Sequence, residues 1–473
     1  MPFQLVSTSW ILLCLILQCL ADNPGVKIQI NQKGLHYGAD NLISQISSVY
    51  LSDIIGRVTI ATESMDYELT QVQMVSFQYS KSSADFIPEK GFQISIYGGN
   101  STVNGTWKLD SMLMQDSGLM ILTLKGISAS VVLGLRQRNT GTPSIFLINC
   151  ESEIRGVDFR VEGGVDYVYE AVKGPMEDII RSKVNEQLCS ALSLQIADWD
   201  QSLSTFLSNM SLTAGLDLSL TKDPIFSKQY AEIDVKGVSD THLSKTRANP
   251  PAPMIFSKLP NSMIQVCISE YSLNSALRTT FIANIFTDLF SDFMSFINIR
   301  TSDLNNFLPE LSQHYPEPSP VKIKLYLSTA PTFSVKPNNM TVAFVGILQT
   351  YAMPSNTTSH LLFTATTAFS ISSNISASNS NQENGTNLTG SIILSSFQLQ
   401  IHKNLSYFNI TEDATKEKGI KNIIKVTLTT FLKEKFEKTG IYIPLNFLRN
   451  LSIYMKEGFL LLAADMQMSP DLL

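Results

Sequence analysis

Val26-Lys27-Ile28-Gln29-Ile30 and Met263-Ile264-Gln265-Val266 are the two stretches on which the reading of this chain turns. Each alternates apolar with polar residues, the pattern of a strand with one buried face. Each then runs into a helical pattern, from Gly34 in the first copy and near Ser272 in the second. Ile28 and Ile264 are 236 positions apart, half of a 473-residue chain. A duplicated domain is the economical explanation, and it makes a shared function for the two halves the first question.

Working outward, apolar residues at helical spacing recur in four places. Leu35, Ala39, Leu42, Ile43 and Ile46 form the first stripe. Val165, Val168, Val172, Met176, Ile179, Ile180, Val184, Leu188 and Leu192 form the second, with Pro175 predicting a kink or break at Lys173-Gly174. The second half repeats the plan with Leu273, Leu277, Phe281, Ile285 and Leu289, and then with Ile424, Leu428, Phe431, Leu432 and Phe436 before Gly440. Between the helices lie alternating strands: Phe92, Ile94, Ile96; Ile127, Ala129, Val131, Leu133, Leu135; Val321, Ile323, Leu325, Leu327. The last has Lys322, Lys324 and Tyr326 on its other face, as an antiparallel sheet with one wet side requires.

Asn249-Pro250-Pro251-Ala252-Pro253 separates the halves as an extended, semi-rigid spacer. Pro316-Glu317-Pro318-Ser319-Pro320 reads as a turn before a strand. Residues 371–390, rich in Ser and Asn, read as an exposed glycosylated loop. The expected division is a signal peptide at 1–21, a first domain at 22–248, a linker at 249–262 and a second domain at 263–473.

The signal rests on the apolar run Trp10 to Leu20, too short for a bilayer span, ending at Cys19-Leu20-Ala21. No later stretch reads as transmembrane, so the chain is expected to be secreted. Eleven Asn-X-Ser/Thr sequons agree with an extracellular glycoprotein: Asn100, Asn104, Asn209, Asn339, Asn356, Asn374, Asn384, Asn387, Asn404, Asn409 and Asn450. Removing the signal leaves Cys150, Cys189 and Cys267, which allow three pairings. Cys150 with Cys189 is favoured because both lie in the first half, Cys189 on a long helix, which leaves Cys267 as a buried strand thiol.

A formal net charge of -6 and a sequence pI near 5.5 argue against nucleic acid as a partner. Catalytic motifs are absent: no HExxH, Walker A, GxGxxG or GxSxG. His36, His242, His314, His360 and His402 are scattered without metal spacing. Asp198-Trp199-Asp200 is the nearest approach to a carboxylate pair, and its residues diverge on either a strand or a helix. No enzyme activity, metal or cofactor is expected. What remains is apolar surface, which either packs a core or lines an elongated pocket between sheet and helix. An acyl chain of about 14 methylenes, at roughly 0.8 kcal/mol each, gains about 11 kcal/mol on leaving water.

Asn23-Pro24-Gly25-Val26 leading to Gln32-Lys33-Gly34-Leu35 resembles the mature N-terminus of a secreted lipid-binding family. That family includes bactericidal/permeability-increasing protein, lipopolysaccharide-binding protein, and the phospholipid and cholesteryl ester transfer proteins. Pro250-Pro251-Ala252-Pro253-Met254 resembles its linker, Ser269-Glu270-Tyr271 the opening of its second domain, and Glu457-Gly458-Phe459-Leu460-Leu461-Leu462 its last strand. Cys150 and Cys189 match its single disulfide.

The resemblance implies an α+β fold, a boomerang of two pseudo-symmetric domains. Each is a curved antiparallel barrel packed by a long helix, and a central sheet joins them. It implies a phospholipid site among Leu35, Leu42, Ile46, Ile179, Ile180 and Val184, and a second among Phe281, Ile285 and Phe431. The implied partners are phospholipid, lipopolysaccharide or another lipid, at a bacterial outer membrane or a lipid-particle surface, met by a monomer. Recognition of lipopolysaccharide in innate defence is the leading expectation, with phospholipid or neutral-lipid transfer and a secreted interaction module as alternatives. Antibacterial members use a basic tip on the first domain. Here the region around Trp107 sets Lys108 and Lys125 against Asp110 and Asp116 and sums to zero, and Asn100 and Asn104 are read as lying close to it. Residues 22–248 hold 19 Lys and Arg against 26 Asp and Glu, so weak attraction to anionic headgroups is predicted.

Overall fold

The computed structural model describes residues 23–55, 59–61, 65–111, 115–162, 166–214, 217–238, 251–259, 261–282, 299–354, 358–379, 386–402, 414–434, 441–443 and 448–467. The predicted signal segment therefore lies outside the described residues.

The two opening stretches are neighbouring strands. β1 (Val26–Asn31) pairs antiparallel with β11 (Ile264–Ser269), Ile28 facing Val266 and Gln29 facing Gln265. Outside β1 lie β10 (Tyr230–Val235) and β9 (Ile225–Phe226); outside β11 lie β20 (Phe459–Met466) and β19 (Leu448–Lys456). The order of this central sheet, β19-β20-β11-β1-β10-β9, is therefore symmetric about the seam between the two copies. One face of the seam is covered by the segment after the prolines: Met254 joins Cys267, Phe459 and Leu461, with Phe256 and Leu259 packed alongside.

Each half adds a seven-stranded antiparallel sheet. The first comprises β2 (Thr59–Ala61), β3 (Met65–Gln78), β4 (Lys81–Ile87), β5 (Gly91–Ser111), β6 (Gln115–Gln137), β7 (Pro143–Glu153) and β8 (Gly156–Glu162), in the order β2-β3-β5-β6-β7 with β4 on β5 and β8 on β6. The second comprises β12 (Ile299–Arg300), β13 (Pro320–Leu327), β14 (Thr332–Lys336), β15 (Asn339–Ala352), β16 (His360–Asn379), β17 (Thr386–Ile401) and β18 (Ile441–Ile443), in the order β12-β13-β15-β16-β17-β18 with β14 on β15. The long strands β5 and β6, of 21 and 23 residues, pair with a register shift at Ile96/Gly99 of β5, and β3 pairs with β5 across a second shift at Thr70/Gln73 of β3. Gly98 takes φ +64 at the first of these.

α1 (Gln32–Ile55) follows β1 directly and packs on β3, β4 and α2 (Asp166–Ala214); α2 also lies on β7 and β8. In the second half α3 (Glu270–Ile282) follows β11. Two short helices, α4 (Thr301–Leu304) and α5 (Glu310–His314), precede β13, and α6 (Ala414–Leu432) packs on β17. Gly419 lets α6 meet Phe307, whose ring lies 1.9 Å from where a Cβ would stand.

Two sequence expectations are corrected. α2 runs unbroken through Pro175 for 49 residues, roughly 74 Å. Gly174 and Pro175 are exposed there, so the backbone carbonyl deprived of its donor can be hydrated, and the glycine removes the side chain that proline would crowd. Residues 371–379 and 386–390 are not loop but the distal ends of β16 and β17, paired from Ile371↔Leu394 to Asn379↔Thr386. Serine and asparagine are tolerated because backbone pairing holds the hairpin; 380–385 lie outside the described residues.

Candidate lipid-binding site

The apolar interior of the first half is divided. Leu35, Ala39 and Ile43 of α1 pack with Ala84, Phe86, Ile94, Phe226 and Ala231, and half-buried Leu42 lies against them. Met176, Ile180, Val184, Leu188 and Leu192, at strict four-residue spacing on α2, pack instead with Leu69, Val103, Leu122, Leu124 and Phe159, beside half-buried Ile179. Ile55 at the end of α1 belongs to this second group, and Val131, half-buried, touches both. The residues assigned to one pocket are thus spread along the barrel: Leu35 and Leu42 near the central sheet, Ile179, Ile180 and Val184 in the adjoining group. The side chain of Ile46 is outside the described residues.

In the second half Phe431 is buried with Ile420, Ile424 and Leu428 of α6 against Ile323, Leu325, Phe344, Phe363 and Phe369. Phe281 is half-buried on α3, apart from that group, and Ile285 is outside the described residues.

Cys150 of β7 and Cys189 of α2 are joined, S–S 2.08 Å, so the disulfide fastens the helix to the sheet. Farther along, Asp200 performs the same task without covalency: it pairs with Arg138 and accepts the Ile145 N–H at 2.8 Å. This is the structural use of the Asp198-Trp199-Asp200 motif. Cys267 is fully buried, and burial pushes its thiol up to about 12, which removes the thiolate that nucleophilic chemistry requires.

The outer end of the first barrel differs from its sequence reading. Lys108 faces Ser117, whereas Lys125 faces Asn100, eight residues away along β5 or about 25 Å. Lys125 and Arg160 both pair with Asp158, at 3.5 and 3.0 Å, and hold its carboxyl below the ordinary range. Lys125 and Asn100 therefore do not belong to the end that carries Trp107. Pairing brings other charges there: Glu68 faces Lys108, Asp66 faces Asp110, and Glu162 faces Leu119. Among the described residues, Lys108 shares this end with Asp66, Glu68, Asp110, Asp116 and Glu162, an acidic end rather than a neutral one.

A cavity of about 750 Å³ opens at this end, between Thr70, Gln71, Thr106, Trp107, Lys108, Gln115, Ser117 and Gly118 and near Leu119, Asp116 and Glu162. Sequence reasoning missed it because Gln71 and Glu162 arrive only through strand register. Its one local signal is Gly118, where a Cβ would lie 2.9 Å from Trp107 Nε1 and 2.5 Å from the Glu162 carbonyl oxygen.

Among the sequon asparagines, Asn100, Asn104, Asn339, Asn374 and Asn450 are exposed. Asn209 and Asn387 sit in α2 and β17 with side chains outside the described residues, and Asn356, Asn384, Asn404 and Asn409 fall outside entirely. Among the described residues no group of histidine, cysteine or carboxylate side chains could hold a metal, and no helix is long and apolar enough to cross a membrane.

Residues 32–222 match the N-terminal domain model of the LBP / BPI / CETP family, and residues 208–468 match its C-terminal domain model. The chain is 24% identical to the bactericidal permeability-increasing protein of Sebastes schlegelii over 98% of this chain and 99% of that one. It is 23% identical to human lipopolysaccharide-binding protein over 97% of each chain. A crystal structure of lipopolysaccharide binding protein superposes with a TM-score of 0.52 at 19% identity, covering 94% of this chain and 99% of that one. With both domain models matched in order and two seven-stranded sheets joined by a shared central sheet, the chain belongs to the LBP / BPI / CETP family.

Proposed function

We propose that this protein is a secreted, non-catalytic lipid-binding glycoprotein that takes the acyl chains of an amphipathic lipid into apolar pockets, with lipopolysaccharide as the ligand class and innate defence as its setting. The observation that carries this reading is the divided interior of the first barrel. Leu42, Val131 and Ile179 are apolar yet only half-buried where they pack against its two groups, and Val131 packs against both. The position proposed for an acyl chain is between α1 and α2, at Leu35, Leu42, Ile179, Ile180 and Val184. A second chain is proposed for the second half, against Phe431 of α6. Kinship with proteins named for lipopolysaccharide binding and bactericidal permeability supports the ligand class.

Native mass spectrometry of the purified protein tests the pockets, with about two phospholipids per chain expected, one for each barrel. Mild extraction that recovers none overturns them. Endotoxin binding measured across ionic strength tests the ligand class. The acidic outer end predicts binding that changes little with salt; no binding, together with transfer of labelled phospholipid between vesicles, would favour the transfer reading.

A further inference from the structure

Among the described sequon asparagines, Asn450 alone takes a positive φ, 52. Arg449 faces Asp465 and Ser452 faces Ala463, so Asn450 and Leu451 stand opposite a single residue of β20 as a bulge in β19. Asparagine tolerates that backbone better than most side chains do. The bulge aims its amide at β20, where Asn450 Nδ2 donates to Asp465 Oδ2 at 3.0 Å.

The same asparagine lines a groove of about 400 Å³ at the join of the two halves. One wall is β19, with Asn450, Ser452 and Tyr454; the other is the chain entering β11, with Leu259 and Ser262; β20 contributes Ala463 and Ala464 between them. First-half residues hold the second wall: Lys33 Nζ donates to the Asn261 carbonyl and Asn31 Nδ2 to the Ser262 carbonyl, each at 3.0 Å. The lining suits a sugar. Tyr454, 38% exposed, Leu259 and the two alanines offer apolar surface to ring C–H groups and an acetamido methyl, while Lys33, Ser452 and Asp465 offer hydrogen-bonding groups to hydroxyls.

We propose that Asn450 is N-glycosylated and that the first N-acetylglucosamine of its glycan seats in this groove, bracing β19 against the chain that joins the halves. This deepens the reading of the protein as a secreted glycoprotein and rests on it. The donor is a lipid-linked oligosaccharide pyrophosphate. A bond forms from Asn450 Nδ2 to the anomeric carbon as the bond from that carbon to the pyrophosphate oxygen breaks; the amide gives up one proton and the lipid pyrophosphate leaves. One amide N–H remains, and the bond to Asp465 needs only one.

The full-length protein, secreted from mammalian cells with high-mannose glycans, supplies the test. Glycopeptide mass spectrometry should find Asn450 occupied. Peptide N-glycosidase, which cuts the bond between Nδ2 and the sugar, should release this glycan from the folded protein about tenfold more slowly than those at the other occupied sequons, the worth of one or two hydrogen bonds. Ser452→Ala removes the sequon and keeps the Asn450 amide, whereas Ser452→Thr keeps both. Hydrogen exchange at the Leu259 and Ser262 amides should be about tenfold faster in Ser452→Ala than in the parent and unchanged in Ser452→Thr. Trimming with an endoglycosidase that leaves only the first sugar should not alter it.

An unoccupied Asn450 beside other occupied sequons overturns the proposal. So does an Asn450 glycan released as fast as the rest, exchange in Ser452→Ala equal to that of the parent, or protection lost on trimming to one sugar. If Ser452→Ala is not secreted, the release and trimming measurements on the parent decide. A chain with no sequon occupied would sink the glycoprotein reading itself.

Discussion

Gln29 and Gln265 face each other across the β1–β11 seam and are also equivalent residues of the two copies, because the 236-residue offset carries one onto the other. The pseudo-two-fold axis of the duplicated chain therefore passes between their backbones. Both side chains are buried, and the symmetry is broken in how they are met. Gln29 Nε2 donates to Asn31 Oδ1 at 2.6 Å, whereas Gln265 Oε1 has no partner among the described residues. Replacing a buried, incompletely satisfied polar group by an apolar one of similar shape is neutral to stabilising. Gln265→Met should raise stability by about 1 kcal/mol, read as a higher midpoint in thermal or urea unfolding, and a loss of stability would show that the amide is satisfied in solution.

The disulfide closes a 39-residue separation between β7 and α2. Chain entropy assigns about 4 kcal/mol to a closure of that length. The variant Cys150→Ala/Cys189→Ala should unfold at lower denaturant, with first-half amides around β7 and α2 losing hydrogen-exchange protection before those of the second half. Uniform loss across both halves would mean that the cross-link supports the whole molecule.

How much of this was legible before the structure depends on the range of the interaction. The α2 stripe Met176, Ile180, Val184, Leu188 is local, and so is the alternation of Val321, Ile323 and Leu325; periodicity alone places their faces. The acidic outer end was not legible, because Glu68 and Glu162 come to Lys108 and Leu119 only through register between distant segments. Lys125 misled for the same reason, being near Lys108 in sequence and far along the sheet. Residues 371–390 read as loop because their composition is polar, yet strand pairing is satisfied by backbone groups that every side chain carries. Of the apolar residues singled out for lipid, those on α2 and α6 lie in packed interiors, while the division of the first interior needed three dimensions to appear.

Asp465 gives a pH dependence. Burial pushes its carboxyl up, but hydrogen bonds from Lys33 and Asn450, the Lys33 charge and the Met263 N–H outweigh burial and hold it below the ordinary value. A carboxyl with a lowered folded pKa stabilises the fold fully above its unfolded pKa, and that contribution is lost as pH falls through the folded one. Because Lys33 belongs to α1 and Asp465 to β20, acid should loosen the join between halves. Asp465→Asn should lower the thermal midpoint at pH 7, and its deficit relative to the parent should shrink below about pH 4. A deficit that is constant with pH would assign the effect to packing.

Gly34 and Gly38 are four residues apart in α1, and they should respond oppositely to the same substitution. Alanine in a helix ordinarily gains about 1 kcal/mol over glycine. At Gly38 nothing lies within 4 Å of the added Cβ, so Gly38→Ala should realise most of that gain. At Gly34 the Cβ would stand 2.6 Å from the Met263 carbonyl oxygen, which accepts the Asn31 N–H at 3.0 Å. That carbonyl immediately precedes β11, a strand bonded on both sides within the central sheet, so it cannot retreat without disturbing the seam. Overpacking of this kind costs about 1–3 kcal/mol, which exceeds the helical gain. Urea titrations of the two single variants should therefore move the midpoint up for Gly38→Ala and down for Gly34→Ala. Movement of both in the same direction would mean that helix propensity, and not the contact between the two copies, sets the requirement for glycine at 34.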